Sequence, residues 1–238
     1  YHPLIFNNLK KINYEDRIGR IITKMIENKL SLYSIHTSFD NLKDGLNFDL
    51  GKILNLKNQK KLIPKKNTLM KITSYVPSDY LDEVLNSLHK AGAGEIENYS
   101  KCSFSTKGEG RYMGSRESNP KFGNKEELTK TPEIFISLVF PSYKKKKVIE
   151  NLIKSHPYES VAYEITNIEN CNPDLGLGSI GVLPRSMNEK EFLEHLKNKL
   201  PINIVRHSKL MKNKIKIVAV LAGSGAFAID NAVNNGAD

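Results

Sequence analysis

Two histidines and an aspartate are the residues of this chain whose types and positions best suit metal chemistry. His2 precedes an apolar run that begins at Pro3, and His36 ends an apolar, partly aromatic run that begins at Leu30. Asp40 follows in a turn-rich segment. Open α/β sheets place their sites at the carboxyl ends of strands, and imidazole with carboxylate suits a divalent zinc, manganese or iron ion. A packed or solvated histidine at a strand end is the alternative interpretation.

A glycine-rich turn near the end of the sequence is the second candidate site. The hexapeptide GSGAFA starts at Gly223 and fits the pattern G-x-G-x-x-A between a predicted strand, Ile215 to Leu221, and a predicted helix, Ala228 to Asn235. Backbone amides at Gly223, Ser224, Gly225 and Ala226 would form an anion cradle there. A strand-to-helix turn that needs glycine only for packing explains the pattern equally well. As a dinucleotide fingerprint it is weak.

Composition narrows the classes of protein to which the chain can belong. With 238 residues and 39% hydrophobic residues, it is long enough for one large or two ordinary domains. No apolar run approaches the ~20 residues of a membrane span, and no signal peptide is visible. Cys102 and Cys171 form no metal or disulfide pattern, which fits a reducing, cytoplasmic location.

The net charge is positive, with 36 Lys and Arg against 26 Asp and Glu, a formal charge of +10. The excess is spread over turns and helix faces, which argues against a nucleic-acid footprint. The densest run, Lys144 to Lys147, lies at the start of a predicted helix and is interpreted as a solvated face. The chain lacks an initiator Met and ends just after a helical pattern, so we expect a fragment that is truncated at both ends.

Residues 1–67 are predicted to form the first part of an α/β domain. Apolar residues at helical spacing predict helices over Asp16 to Leu30 and over Gly45 to Leu56. The segment Leu30 to His36 is predicted to be a buried strand. Lys57 to Asn67 is polar, basic and interrupted by proline, so it is predicted to be a linker.

Residues 68–166 contain an internal repeat and are predicted to form an inserted domain. The tripeptide that starts at Val76 recurs 64 residues later as the one that starts at Phe140, each time after an alternating strand and before a helix. With further strands at Glu95 to Ser105 and Ser160 to Ile165, the units predict a ferredoxin-like βαββαβ domain. The glycine-rich connection Gly108 to Pro132 is predicted to be functional or mobile.

Residues 167–238 are predicted to return to the first domain. A capping box from Ser186 to Glu189 opens a helix there, and the strand and helix that flank the glycine turn follow. His156-Pro157-Tyr158-Glu159, at the end of the second repeat helix, offers imidazole, phenol and carboxylate. A helix stop followed by a turn is the favoured interpretation of that motif.

Several motifs occur in a fixed order along the chain and together resemble one family. They are YHPLIF from Tyr1, HTSFDN from His36, GAGEIENY from Gly92, CSF from Cys102, Asn119-Pro120, HPYE from His156, GSIG from Gly178 and GSGAF from Gly223. The set resembles the GTP cyclohydrolase 1 type 2 homologs, the Ngg-interacting-factor-three-like proteins with a dinuclear metal centre. The version resembled is the long one, in which a PII-like insert interrupts the metal-binding α/β domain.

The resemblance implies a homohexamer with up to two divalent metal ions in each subunit. His2 and Asp40 match metal ligands of the family, and His36 lies close to them in sequence. Tyr1 stands where many members have another histidine, which puts the second metal site in question. The remaining His and Glu ligands of the family would follow Asp238.

The leading hypothesis from these observations is a metal-dependent, GTP cyclohydrolase-like hydrolase. Metal-activated water would attack a nucleotide-type substrate whose phosphates lie in the glycine cradle. The competing hypothesis is a non-catalytic, metal-binding oligomeric adaptor or sensor, in which the insert is a regulatory module. A nucleotide-binding oxidoreductase that depends on the glycine turn alone is the weakest alternative.

Overall fold

The computed structural model describes residues 3–6 and 9–238. The chain is a mixed α/β protein with several antiparallel sheets, and it divides into two compact units. The first unit comprises Tyr1–Ile63 and Gly176–Asp238, and the second comprises Pro64–Leu175. Within the part of the chain that is described, no helix combines the length and apolar character needed to cross a bilayer.

The elements follow one another along the chain from the first unit to the second and back. In the first segment they are α1 (Arg17–Glu27), α2 (Thr37–Asp40), α3 (Leu46–Ile53), β1 (Lys57–Lys60) and β2 (Ile63–Pro64). In the second unit they are β3 (Leu69–Pro77), α4 (Leu81–Ala91), β4 (Phe104–Met113), β5 (Leu128–Pro141), α5 (Lys145–Ser155) and β6 (Tyr163–Asn167). In the last segment they are β7 (Gly176–Leu177), β8 (Ser179–Asn188), α6 (Glu189–Lys199), β9 (Lys214–Val220) and α7 (Ile229–Asn234).

The first unit is built on a three-stranded antiparallel sheet in the order β1-β8-β9. Side chains alternate between the two faces of a strand, and both faces of β9 are packed. Val218 lies in one apolar cluster with Leu54 and Leu183, against which α6 packs, while Ile217 packs in another cluster with Ile180. The sheet therefore has a hydrophobic core on each side.

The predicted helices of the first segment are confirmed as α1 and α3, but the predicted buried strand from Leu30 to His36 is wrong. Residues 30–35 belong to no helix or strand, and Tyr33 is 86% exposed. The apolar and β-branched composition that favours a strand gives a ladder only where a neighbour supplies hydrogen bonds. Among the described residues no strand pairs with this segment.

The prediction of an unstructured linker over Lys57 to Asn67 is wrong for its first part, which forms the edge strand β1, although the boundary between the two units, after Ile63, does lie within this segment. Its composition is polar because an edge strand buries little of its length, and Lys57–Lys60 is mostly exposed. The apolar anchors are the neighbouring Leu56 and Leu62, which are 5% and 3% exposed. Gln59 contributes the polar link, since its side chain is 2.7 Å from the Ser179 hydroxyl in β8.

The second unit consists of strand, helix, strand, strand, helix and strand, with an antiparallel sheet in the order β4-β5-β3-β6. The equivalent positions of the sequence repeat meet in one core. Val84 and Leu88 of α4, and Val148 and Leu152 of α5, are all completely buried in the same cluster. Ser87 also donates a hydrogen bond to the backbone of Asn151, 64 residues away.

The predicted strand from Glu95 to Ser105 begins too early, and the predicted long connection is too long. The segment before Phe104 is irregular, and β4 and β5 then form a long hairpin in which Phe104 pairs with Ser137 and Met113 with Leu128. Only residues 114–127 remain as a loop. The glycines and charges that favoured a loop lie in the exposed strand β4.

The last segment contains the predicted helix, strand and helix as α6, β9 and α7, but strand β8 (Ser179–Asn188) was not predicted and the start of α6 differs. Asn188, rather than Ser186, is the N-cap residue, and its side chain accepts a hydrogen bond from the Glu191 amide at 3.0 Å. Ser186 lies within β8 instead. Asparagine is as good a capping residue as serine, so the sequence pattern contained two competing caps.

The burial of Leu152 gives a test of the second unit as an independent structure. We expect residues 64–175, produced alone, to unfold cooperatively, because their apolar cluster lies entirely within this range. Leu152→Ala should lower the free energy of unfolding by about 2–5 kcal/mol. The adjacent Ile153→Ala, at a side chain that is 50% exposed, should cost much less. Chemical denaturation followed by circular dichroism would measure both, and equal costs would contradict this packing.

His156 is held in a neutral tautomer at the end of α5. Its Nε2 lies 2.9 Å from the Tyr75 carbonyl oxygen, and its Nδ1 accepts a hydrogen bond from the Tyr158 amide at 3.2 Å. Burial lowers the pKa of His156 below 6.5, although the Tyr75 carbonyl and the charge of Glu133 act in the opposite direction. His156 therefore fits the favoured interpretation of its motif, which is a helix stop followed by a turn.

The depressed pKa of His156 predicts a stability that depends on pH. As pH falls through 6.5, the unfolded state takes up a proton that the folded state resists, so the second unit loses stability. His156→Gln should reduce this loss. Denaturation above and below pH 6.5 measures the difference, and an identical pH dependence in the unmodified chain and in His156→Gln would be inconsistent with it.

Candidate functional site

A cavity of about 810 Å³ lies in the first unit and is lined by both of the candidate sites that the structure describes. His36 and Asp40 line it from the α2 region, and Gly223 and Ser224 line it from the glycine turn. Apolar side chains form most of the remaining wall, contributed by Leu4, Leu32, Ile35, Phe39, Leu46, Leu177, Leu221 and Phe227. An imidazole, a carboxylate and a glycine turn thus share one largely apolar cavity.

His36 lies at a sharp backbone turn that introduces α2. Its φ is 45° and its ψ is −129°, which is a left-handed conformation that costs a non-glycine residue roughly 1–3 kcal/mol. The imidazole packs edge-on against Phe6, with the ring centroids 5.6 Å apart. The surrounding structure therefore holds His36 in a conformation that the residue does not itself prefer.

Asp40 is the last residue of α2, and the turn that follows is fixed by long-range hydrogen bonds. The Asp40 carbonyl accepts a bond from the Asn47 side chain at 3.1 Å, and the Asn41 carbonyl accepts one from the Gly176 amide at 3.0 Å. Gly45 closes the turn, where a Cβ atom would lie only 2.0 Å from the Phe39 carbonyl oxygen. The turn therefore requires glycine at position 45.

Asn47 connects the two sides of the cavity. It is completely buried, and its Oδ1 accepts a hydrogen bond from the Ala222 amide at 2.7 Å while its Nδ2 reaches the Asp40 carbonyl. The apolar residues at helical spacing that predict α3 do not include Asn47, so the sequence did not indicate this residue. An amide on the buried side of an amphipathic helix was the available signal.

Lys61 is a second residue that the sequence analysis missed. Although it was assigned to a linker, it is only 5% exposed. Its ammonium group donates a hydrogen bond to the Leu42 carbonyl and lies 4.8 Å from the centre of the Phe48 ring. This buried cation helps to hold the turn that follows Asp40.

The predicted anion cradle is only partly at the cavity. Gly223 has φ +81°, and it lines the cavity with Ser224. Gly225 precedes a short 3-10 turn, Ala226–Ala228, that leads into the six-residue helix α7. Gly225 and Ala226 are not among the residues that line the cavity, so Gly223 and Ser224 are the members of the motif that are positioned to meet a ligand.

The other predicted ligands, His2 and Tyr1, lie outside the described residues. Over residues 3–6 and 9–238, no group of three or more His, Cys, Asp and Glu side chains is arranged to hold a metal ion. The described part of the site therefore supplies two side chains of suitable chemistry, His36 and Asp40, in one cavity. Leu4, two positions after His2 in the sequence, lines the same cavity.

The chain is a two-unit α/β protein in which one unit interrupts the other in sequence. The interrupted unit carries the cavity that His36 and Asp40 line. The chain belongs to the Duf34/NIF3 (NGG1p interacting factor 3) family, whose pattern matches residues 1–238. It is 38% identical over 239 residues to the GTP cyclohydrolase 1 type 2 homolog of Bacillus subtilis, and 37% identical to that of Halalkalibacterium halodurans. Each alignment covers the whole of this chain and 64% of the relative.

Solved structures give the same result. A crystal structure of a Bacillus cereus protein related to NIF3 matches with a TM-score of 0.84 and 38% identity, over 100% of this chain and 64% of that one. A Staphylococcus aureus protein matches with a TM-score of 0.69 and 26% identity, over 100% and 62% respectively. The chain thus spans slightly less than two thirds of the length of these relatives.

The two hydrogen bonds of Asn47 predict a measurable role in holding the site. Asn47→Ala should lower the free energy of unfolding by about 1–3 kcal/mol, because the half-buried Ala222 amide and the Asp40 carbonyl lose their partner. Hydrogen exchange at the Ala222 amide should accelerate. Asn28→Ala is the matched control, since that amide is exposed and bonds only to the Lys24 carbonyl within its own helix. Equal effects of the two substitutions would show that Asn47 has no special role.

Proposed function

We propose that this chain is part of a divalent-metal-binding, hydrolase-like protein in which metal-activated water attacks a nucleotide-type substrate. The observation that carries the proposal is the shared cavity, which His36 and Asp40 line from one side and Gly223 and Ser224 from the other. The names of the relatives, GTP cyclohydrolase 1 type 2 homologs, supply the candidate substrate. Guanine nucleotides are therefore the first compounds to test.

The donor chemistry of the cavity fits a borderline divalent cation. Imidazole nitrogen with carboxylate oxygen suits zinc, manganese or iron better than the oxygen-only sets that calcium and magnesium prefer. In this proposal His2 and Asp40 are ligands, and His36 lies next to the metal. A second metal ion is proposed to have fewer protein ligands, because Tyr1 occupies the position of another family histidine.

The residues of the cavity have separate proposed tasks. A bound metal ion would lower the pKa of a water molecule toward ~7 and so supply a nucleophile. Phe39 and Phe227 contribute apolar surface to the wall of the cavity. Asn47 positions the Asp40 turn against the glycine turn, and backbone amides at Gly223 and Ser224 would donate hydrogen bonds to phosphate oxygens.

The second unit is proposed to be a ferredoxin-like, PII-like insert in a homohexameric protein of the cytoplasm. The support for the fold is its order of strand, helix, strand, strand, helix and strand, together with the antiparallel sheet β4-β5-β3-β6. In such a domain the first and third strands are central, as β3 and β5 are here. The insert would then be a separate module that the metal-binding domain carries.

A non-catalytic adaptor or sensor is the second candidate function, and one observation favours it. The second unit has its own cavity of about 440 Å³, lined by the buried Glu133, where a regulatory ligand can bind. In that case the metal ions would be structural. A metal coordination sphere closed by protein ligands would support the sensor, and a position open to water would support the hydrolase.

Metal analysis of the native protein tests the leading proposal. Asp40→Asn should weaken metal binding by roughly tenfold or more, because the amide oxygen lacks the charge of the carboxylate. The exposed Asp44→Asn, four residues further on, is the matched control and should retain metal. Elemental analysis measures the stoichiometry. Unchanged metal in Asp40→Asn would remove the site assignment.

A substrate screen on the same proteins separates catalysis from metal binding. The metal-replete protein should hydrolyse GTP or a related nucleotide, while the metal-stripped protein and Asp40→Asn should not. Metal binding that depends on Asp40, without turnover of any nucleotide, would support the sensor.

A further inference from the structure

The cavity of the second unit is built on the face of the sheet that carries no helix. In β5 the residues Ile134 and Ile136 face the apolar cluster of α4 and α5, so Glu133 and Phe135 face the other side. Tyr75 of β3, which pairs with Phe135, lines the cavity from that side. The loop of residues 114–127 and the segment after α5 supply the remaining walls.

The loop over this cavity is held by specific bonds. The Tyr112 hydroxyl donates to the Phe122 carbonyl at 2.9 Å, and the Asn119 amide donates to the Glu159 carboxylate at 2.9 Å. Arg116 bonds both carboxylate oxygens of Glu126 at 2.9 Å. The walls of the cavity are therefore ordered parts of the unit.

Glu133 is the charged group at the base of the cavity. It is 8% exposed, and its Oε1 accepts a hydrogen bond from the Tyr158 hydroxyl at 2.7 Å. Its Oε2 lies 2.2 Å from the place that a Cβ atom of residue 110 would occupy, so Gly110 leaves the space that the carboxylate fills. Within the described residues no hydrogen bond to Oε2 occurs.

The cations and titratable groups around Glu133 are engaged elsewhere. Arg111 bonds Glu109 at 3.0 Å, and the Lys121 ammonium lies 5.9 Å from the centre of the Tyr80 ring. His156 is neutral, since burial lowers its pKa and both ring nitrogens bond to backbone. Within the described residues the second carboxylate oxygen of Glu133 therefore has no cationic partner, and a cationic ligand in the cavity can supply one.

We propose that the cavity of the second unit binds a small organic cation, an ammonium or an amidinium, through the free oxygen of Glu133 and the surrounding tyrosine rings. Tyr75, Tyr112 and Tyr158 all line the cavity, and aromatic rings attract organic cations. A cavity of about 440 Å³ is within the usual range for small-molecule sites. The inference depends on the second unit alone and is independent of the metal proposal.

Benzamidine and benzamide are the probes that test this proposal, because they have nearly the same shape and only benzamidine is charged. Isothermal titration calorimetry on the whole chain should show binding of benzamidine and binding that is at least roughly tenfold weaker for benzamide. Putrescine provides an ammonium without a ring. Binding of neither cation, or equal binding of benzamidine and benzamide, would overturn the proposal.

Three variants locate the binding at Glu133. Glu133→Gln keeps the shape and removes the charge, so benzamidine binding should fall by roughly tenfold or more. The exposed Glu117→Gln in the same unit should bind as the unmodified chain does. Gly110→Ala keeps Glu133 but places a methyl group where its carboxylate now lies, so the carboxylate must move and binding should also weaken. If Glu133→Gln does not fold, Gly110→Ala and Glu117→Gln decide, and equal affinity in those two variants would refute the site.

Discussion

The first unit depends on a hydrogen-bonding constraint between chain segments that are far apart in sequence. The buried side chain of Asn47 bonds to the backbone of Asp40 and to the Ala222 amide, 175 residues away. The β1–β8 ladder and the Gln59–Ser179 contact join the same two segments. Because the second unit separates these segments in sequence, neither of them can complete the core or the cavity alone. The geometry of the candidate site is therefore a product of this long-range closure.

Much of the fold could be predicted because amphipathic helices and alternating strands have a characteristic spacing of apolar residues in the sequence. The stripe of α1 and the matched positions Val84 and Val148 are of this kind. The errors occur where the structure depends on a neighbour. Strand β1 has a polar composition and is recognised only by its partner β8, while the segment that ends at His36 has the composition of a strand but no ladder among the described residues. The residue pattern of a segment indicates which side chains are suited to burial. Whether the segment forms a strand depends on a partner strand elsewhere in the chain.

The candidate site also combines residues that local sequence patterns indicate with residues whose role depends on tertiary packing. Spacing identified His36, Asp40 and the glycine turn separately, and the structure places members of all three in one cavity. The sequence did not indicate Asn47, Lys61 or Glu133. Each of these is a polar residue whose role arises from burial, and burial is set by tertiary packing rather than by neighbours in the chain. His2 remains a prediction from sequence, since it lies outside the described residues.

The repeat of the second unit has a consequence for its evolution. The two halves share a framework in which Ser87 contacts Asn151 at the same 64-residue spacing, yet the residue equivalent to Glu133 is Leu69 and the residue equivalent to Tyr158 is Gly94. If the halves arose by duplication, both kept the scaffold while their chemistry diverged. The buried carboxylate then occurs in only one half of a pseudosymmetric domain.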